Sequence, residues 1–208
     1  MDENGQLSSK TDVSTVERTH EVVMGDSYTV LRLLSDDGAN KLSRRRVMAL
    51  TEEIERLAVE ESLKPLVIAG NAKFFSAGAD LNEIHELTGA EAFNFAKMGQ
   101  RLMRAVDCFP ALVIASIEGY CMGGGLDLAL ACDVRVASPN AVFGHRGAAL
   151  GIMTGWGGTQ RLPQLIGKAC AMQMFLTSET VDAETVMRYG LVNKIVGETM
   201  VGIQGFLV

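Results

Sequence analysis

Three features of the sequence predict an α/β fold. Short, largely apolar runs recur: Leu66-Val67-Ile68-Ala69, Leu112-Val113-Ile114-Ala115-Ser116-Ile117 and Val134-Arg135-Val136. Such runs suit strands covered on both faces. The segments between them carry apolar residues at helical spacing. Glycine-rich stretches follow two of the strands, at the carboxyl edge where ligands enter α/β sheets. Strand and helix in alternation imply the fold class.

Taken in order, residues 1 to 18 are polar and acidic, with nothing to build a core, and read as a solvated tail ahead of one domain over residues 19–208. Glu21 to Met24 and Tyr28 to Leu34 are apolar runs separated by Gly25-Asp26, which predicts a β-hairpin. Asp36 to Asn40 is a loop. Val47, Leu50, Ile54, Leu57 and Ala58 mark one face of a helix. Thr88-x-x-Glu91 is a capping box opening a second helix, with Phe95, Met98, Leu102 and Val106 inward. A third helical run, Leu126 to Ala131, is opened by three glycines. Leu165 to Leu176 and Asp182 to Tyr189 are further helices, the latter closed by Gly190 in a left-handed cap. No internal repeat is visible.

Composition narrows the function. The 208 residues are 48% hydrophobic and 21% charged, with a net charge of −6. A chain of this balance folds, and an acidic one has no general electrostatic attraction to nucleic acid. Cys108, Cys121, Cys132 and Cys170 show no C-x-x-C spacing, and there are only three histidines, so no zinc site is expected. The four cysteines lie in apolar runs and read as buried free thiols of a reducing, cytoplasmic setting. The N-terminal segment lacks the apolar region of a signal peptide, and no run is long enough to cross a membrane.

Three stretches can carry chemistry: Phe74-Phe75-Ser76-Ala77-Gly78-Ala79-Asp80-Leu81, Gly119-Tyr120-Cys121-Met122-Gly123-Gly124-Gly125, and Leu150 to Leu162. None has the spacing of a dinucleotide or phosphate loop, nor that of a nucleophile elbow. Small residues let a ligand approach the backbone. A helix opening near Gly124 aims free N–H groups and its positive end at that ligand. Amides from two such stretches, converging on one carbonyl oxygen, would form an oxyanion hole.

F-S-A-G-A-D-L, then G-Y-C-M-G-G-G, F-G-H and L-G-I-x-x-G-x-G-G-T-Q-R-L-P resemble, in order, the motifs of the crotonase superfamily, which includes the enoyl-CoA hydratases and isomerases. The resemblance implies a spiral of β-β-α units with two roughly perpendicular sheets. The chain stops short of most of the C-terminal helices that such proteins carry. The resemblance also implies an acyl-CoA thioester as substrate, with coenzyme A as part of it and no permanently bound cofactor. A homotrimer or hexamer is the usual assembly.

By the same resemblance, the amides of Ala79 and Gly124 hold the thioester oxygen. Ala39, Ser76, Ala77, Gly78, Asp80, Leu81 and Gly123 lie along the CoA arm or the acyl group. The first family glutamate falls on Asp127 and the second on Gly147, which carries no proton-transfer group. The substitution leaves three routes: His145 supplies acid–base chemistry, because histidine changes charge near neutral pH; Asp127 works alone in a one-base proton shift; or a void at Gly147 admits a larger acyl group that brings its own acid–base group. A non-catalytic CoA-ester binder is the alternative reading. RNA binding, known in one branch of the family, is opposed by the net charge. Arg146 is a candidate for a substrate carboxylate or a solvated surface cation. Trp156 reads as core, while Met122 and Met153 are candidates for touching the acyl chain.

Overall fold

The computed structural model describes residues 18–207. The expected tail therefore lies outside the described residues except for Arg18. The chain opens with β1 (His20–Met24) and β2 (Thr29–Leu33), an antiparallel hairpin with Met24 opposite Thr29. β3 (Lys41–Leu42) leads into α1 (Arg44–Leu57), where the Ser43 hydroxyl accepts the Arg46 N–H. Val47, Leu50, Ile54 and Leu57 form its buried face, as the spacing predicts.

β4 (Leu66–Ala69) is wholly buried. β5 (Phe74–Ser76), β6 (Gly78–Ala79) and the short α2 (Leu81–His85) follow. α3 (Gly89–Asp107) has the complete Thr88–Glu91 capping box, and Phe95, Leu102 and Val106 are buried while Met98 is half-buried. Next come β7 (Val113–Ile117), β8 (Tyr120–Met122) and α4 (Gly124–Ala131). α4 is buried on every side, as a helix with almost no polar face must be.

β9 (Val134–Ala137), β10 (Val142–Gly144) and α5 (Gly158–Thr177) complete the next unit. α5 starts seven residues before the expected Leu165 and is broken at Gly167, whose φ is +78°. β11 (Val181–Asp182) and α6 (Ala183–Arg188) precede Gly190, which has φ +85°, the left-handed cap foreseen from sequence. β12 (Lys194–Ile195), α7 (Thr199–Gly202) and a 3-10 turn over Ile203–Phe206 end the described chain.

The strands sort into a six-stranded sheet in the order β1-β2-β4-β7-β9-β12, a four-stranded sheet in the order β11-β10-β8-β5, and the pair β3-β6. From β2 onward the large sheet is parallel. The units β4-β5-α3, β7-β8-α4 and β9-β10-α5 each give one strand to each sheet and then a helix. The architecture is a spiral of β-β-α units, although the sequence shows no repeat. The second strands are only three residues long, too short for a periodic signal.

Both faces of the large sheet are covered. Leu31, Ile68 and Ala115 point into the main core with the helices. Val30, Val67, Ile114 and Val136 form a second cluster, closed by Ile203, Phe206 and Leu207. The apolar end of the chain thus docks on its own sheet as far as it is described. The expectation of four buried thiols is corrected: Cys121 and Cys132 are buried, Cys170 is half-buried and Cys108 is exposed. Cys108 caps the end of α3, where the helix meets solvent.

Candidate active site

Three parallel strands of the smaller sheet set the spacing of the site. β8 lies between β5 and β10, with Phe74 opposite Tyr120 and Gly144 opposite Met122. The chain leaves β5 into Ala77-Gly78-Ala79, β8 into Gly123-Gly124, and β10 into His145-Arg146-Gly147. Neighbouring strands lie about 4.8 Å apart, so the outer two exits are about 10 Å apart. The Gly123 N–H donates to the Gly144 carbonyl at 2.9 Å, holding the second and third exits level.

A cleft of about 850 Å³ opens over these exits. Ala77, Gly78, Ala79 and Leu81 line one flank, Gly123, Gly124 and Asp127 the middle, and His145 and Gly147 the other. The first two exits are tightly apposed. A side chain added at Gly78 would begin 3.0 Å from the Gly124 nitrogen, and one added at Gly124 would begin 3.2 Å from the Ala79 nitrogen. Gly123, at φ +51°, turns the chain into α4 without a side-chain cap. The first amides of that helix have no intrahelical acceptor.

Asp127 is 1% exposed and His145 4%. Asp127 Oδ1 and His145 Nε2 approach to 3.1 Å. Their alignment does not make a hydrogen bond, and both atoms are buried without a hydrogen-bond partner. The other carboxylate oxygen of Asp127 accepts from the Thr154 hydroxyl. The imidazole stacks on Phe175, ring centroids 5.0 Å apart. Gly158, the first residue of α5, leaves room for the pair: a methyl group there would overlap Asp127 Oδ1 and lie 2.9 Å from His145 Nε2. Thr154 and Gly158 lie in the third glycine-rich stretch, and the sequence reading gave them no role. A hydroxyl and a glycine that meet Asp127 only through folding give no local signal.

Three expected contacts lie outside the cleft lining. Ser76 is fully buried; its hydroxyl donates to the Asn40 carbonyl at 2.7 Å and accepts the Gly78 N–H at 3.1 Å. It is a brace beneath the first exit, which corrects its expected place along the thioester arm. The Ala39 carbonyl accepts the Ala77 N–H at 2.9 Å. Asp80 caps α2 by accepting the Asn82 N–H at 3.0 Å.

Gly147 lines the cleft, but the expected void beside it is corrected. Its carbonyl accepts the Leu150 and Ile152 N–H groups at 2.8 and 3.0 Å. This turn folds Ile152 back, so a β-carbon at 147 would lie 2.6 Å from the Ile152 carbonyl oxygen. Trp156 is buried, stacks on Phe95 at 5.3 Å and also faces the cleft, so it is both core and wall. Met122 and Met153 line the cleft as well.

Behind the site, Arg135 is buried. It donates to the carbonyls of Leu191 at 2.7 Å, Cys132 at 2.6 Å and Ala129 at 3.3 Å, closing the negative end of α4. Burial pushes the Cys132 thiol up to about 12 and holds Cys121 well above the usual thiol range. The Asp133 carboxylate accepts the Val113 N–H at 2.8 Å and ties the turn after α4 to the start of β7.

Residues 26–204 match the family model of enoyl-CoA hydratase/isomerase. A crotonyl-CoA hydratase from Syntrophomonas wolfei is 36% identical over 172 residues, which cover 82% of this chain and 66% of that protein. A 2,3-dehydroadipyl-CoA hydratase from Escherichia coli is 40% identical over 177 residues, covering 84% and 69%. The chain thus spans about two thirds of the length of these curated relatives. Among solved structures, DspI of Pseudomonas aeruginosa superposes with a TM-score of 0.86 at 36% identity, covering 97% of this chain and 76% of that one. The enoyl-CoA hydratase from Bacillus anthracis gives 0.84 at 31%, covering 91% and 74%. The motif order, the two-sheet spiral and the glycine exits therefore have one common source: the chain belongs to the enoyl-CoA hydratase/isomerase family.

Proposed function

We propose that the protein binds an acyl-CoA thioester and converts it through an enolate, by reversible hydration of an enoyl-CoA or by a shift of its double bond. The amides of Ala79 and Gly124 are assigned to the thioester oxygen. Each donor of this kind contributes about 3 kcal/mol where negative charge develops. The apposition of the Gly78 and Gly124 backbones supports that assignment.

Asp127 and His145 act together as the proton-transfer pair in place of two glutamates. In hydration, the pair takes a proton from water as the water oxygen bonds to Cβ, and returns a proton to Cα as the enolate collapses. In a double-bond shift, the same pair removes a proton from one carbon and delivers it to another. The observation that carries this reading is the buried 3.1 Å approach of two atoms that no protein group satisfies, at the wall of the cleft. Thr154 holds the carboxylate from its other side.

Loss of the conjugated absorbance of crotonyl-CoA is the direct assay. Asp127→Asn and His145→Gln should each lower kcat by about a hundredfold or more. Full activity in both variants refutes the pair. Binding of the ester without turnover would favour the non-catalytic alternative.

Coenzyme A enters only as part of the substrate in this reading. Assembly into a homotrimer or hexamer is supported by apolar side chains exposed at the cleft, among them Leu81, Leu150 and Met153. Sedimentation of the full chain tests it. A cytoplasmic location accords with thiols that are all unpaired among the described residues.

A further inference from the structure

Among the described residues that line the cleft, Arg146 is the only lysine or arginine, and it is exposed. Its guanidinium has no ion pair or hydrogen bond among the described residues. Among the described residues that line the cleft, the only carboxylate is Asp127, already engaged by Thr154 and faced by His145. Among the described residues the cation therefore has no counter-charge.

Its position assigns it to one end of the ligand. Arg146 leaves β10, the flank opposite the Ala77–Ala79 exit of β5, with the Gly123–Gly124 exit between them. With the CoA arm along the Ala77–Leu81 flank, as the acyl-CoA reading has it, a thioester carbonyl held between Ala79 and Gly124 sends the acyl chain toward β10. There it meets Asp127 and His145, and Arg146 follows His145 directly in the chain. Apolar residues of the cleft lining near it include Ala149, Leu150, Ile152 and Met153.

We infer that Arg146 recognises an anionic group at the far end of the acyl chain, so that the preferred substrates are CoA esters of short dicarboxylic acids. The inference rests on the acyl-CoA reading above. A guanidinium pairs a terminal carboxylate through two parallel N–H···O bonds, and these strengthen as the ligand covers the cleft. An acyl chain with a methyl terminus leaves the guanidinium without that partner.

The test is calorimetric binding of adipyl-CoA and hexanoyl-CoA, saturated esters that cannot be hydrated, to the full chain and to Arg146→Ala and Arg146→Glu. The native protein should bind adipyl-CoA about tenfold or more tighter than hexanoyl-CoA. The ratio should collapse toward one in Arg146→Ala and invert in Arg146→Glu. Equal affinities in the native protein, a preference that survives Arg146→Glu, or an equal loss for both esters would overturn the inference; the last places Arg146 on the CoA moiety. If adipyl-CoA is preferred but crotonyl-CoA is not turned over, the catalytic reading fails and this one stands. If neither ester binds, both fail.

Discussion

Thr154 shows how one hydroxyl organises the candidate chemistry. It fixes one oxygen of Asp127 and leaves the other toward His145. Thr154→Val keeps the shape and removes the donor. Hydrogen bonds to charged groups are worth about 1.5–3 kcal/mol, so kcat should fall about tenfold to a hundredfold, with Thr154→Ser restoring most of it. An unchanged pH–rate profile and kcat in the valine variant would remove Thr154 from the site. The cysteines give a second test at this scale. Cys108 is exposed, whereas burial raises the thiols of Cys121 and Cys132. A thiol reagent should label Cys108 in the folded protein and the buried pair only on unfolding. Because the folded thiol of Cys132 titrates near 12, above its unfolded value, its contribution to stability is complete below the ordinary thiol pKa of about 8.5. It is lost as pH rises from there toward 12. Melting of the native protein and Cys132→Ala between pH 8 and 11 should show a steeper decline for the native chain.

Helix starts matter most among the elements. α4 and α5 both open on glycine at the cleft, and the second brings Gly158 against Asp127 and His145. Gly158→Ala should abolish turnover by displacing that pair, with far-UV circular dichroism unchanged; retained activity would mean the pair tolerates movement. Gly147→Glu should not create a two-glutamate site, because the Ile152 carbonyl occupies the space where the side chain would begin. The long elements were legible in the sequence: the four-residue strand Leu66–Ala69, the capping box at Thr88 and the Gly190 cap all stand where the residues placed them. The short ones were not. Phe74–Ser76 and Tyr120–Met122 read as parts of glycine-rich stretches, yet they are strands of the second sheet. Three residues cannot display a two-residue alternation, so only their pairing partners define them. The same limit hid Thr154 and Gly158, whose roles arise from a contact across 27 residues for the first and from the approach of α5 to Asp127 and His145 for the second. The resemblance located Asp127 and Gly147, but the tight turn after Gly147 is visible only in the folded backbone.

Across the whole molecule, the large sheet depends on the end of the described chain for its second cover. Ile203 is fully buried in that cluster, and Thr199 ties it down by accepting from Ser116 at 2.7 Å and donating to Glu118 at 2.8 Å. Ile203→Ala should cost about 2–5 kcal/mol, read as a lower denaturant midpoint. A loss below about 0.5 kcal/mol would mean that this cover is loosely held. No helix among the described residues is long and apolar enough to cross a membrane.

The pitch of the three exits follows from backbone amide pairing, which no side-chain replacement alters. Reactive groups can therefore be exchanged at 127, 145 and 146 as beads on a fixed ruler. On such a scaffold a new reaction calls for a change of residue at a marked interval, and the distances come already built.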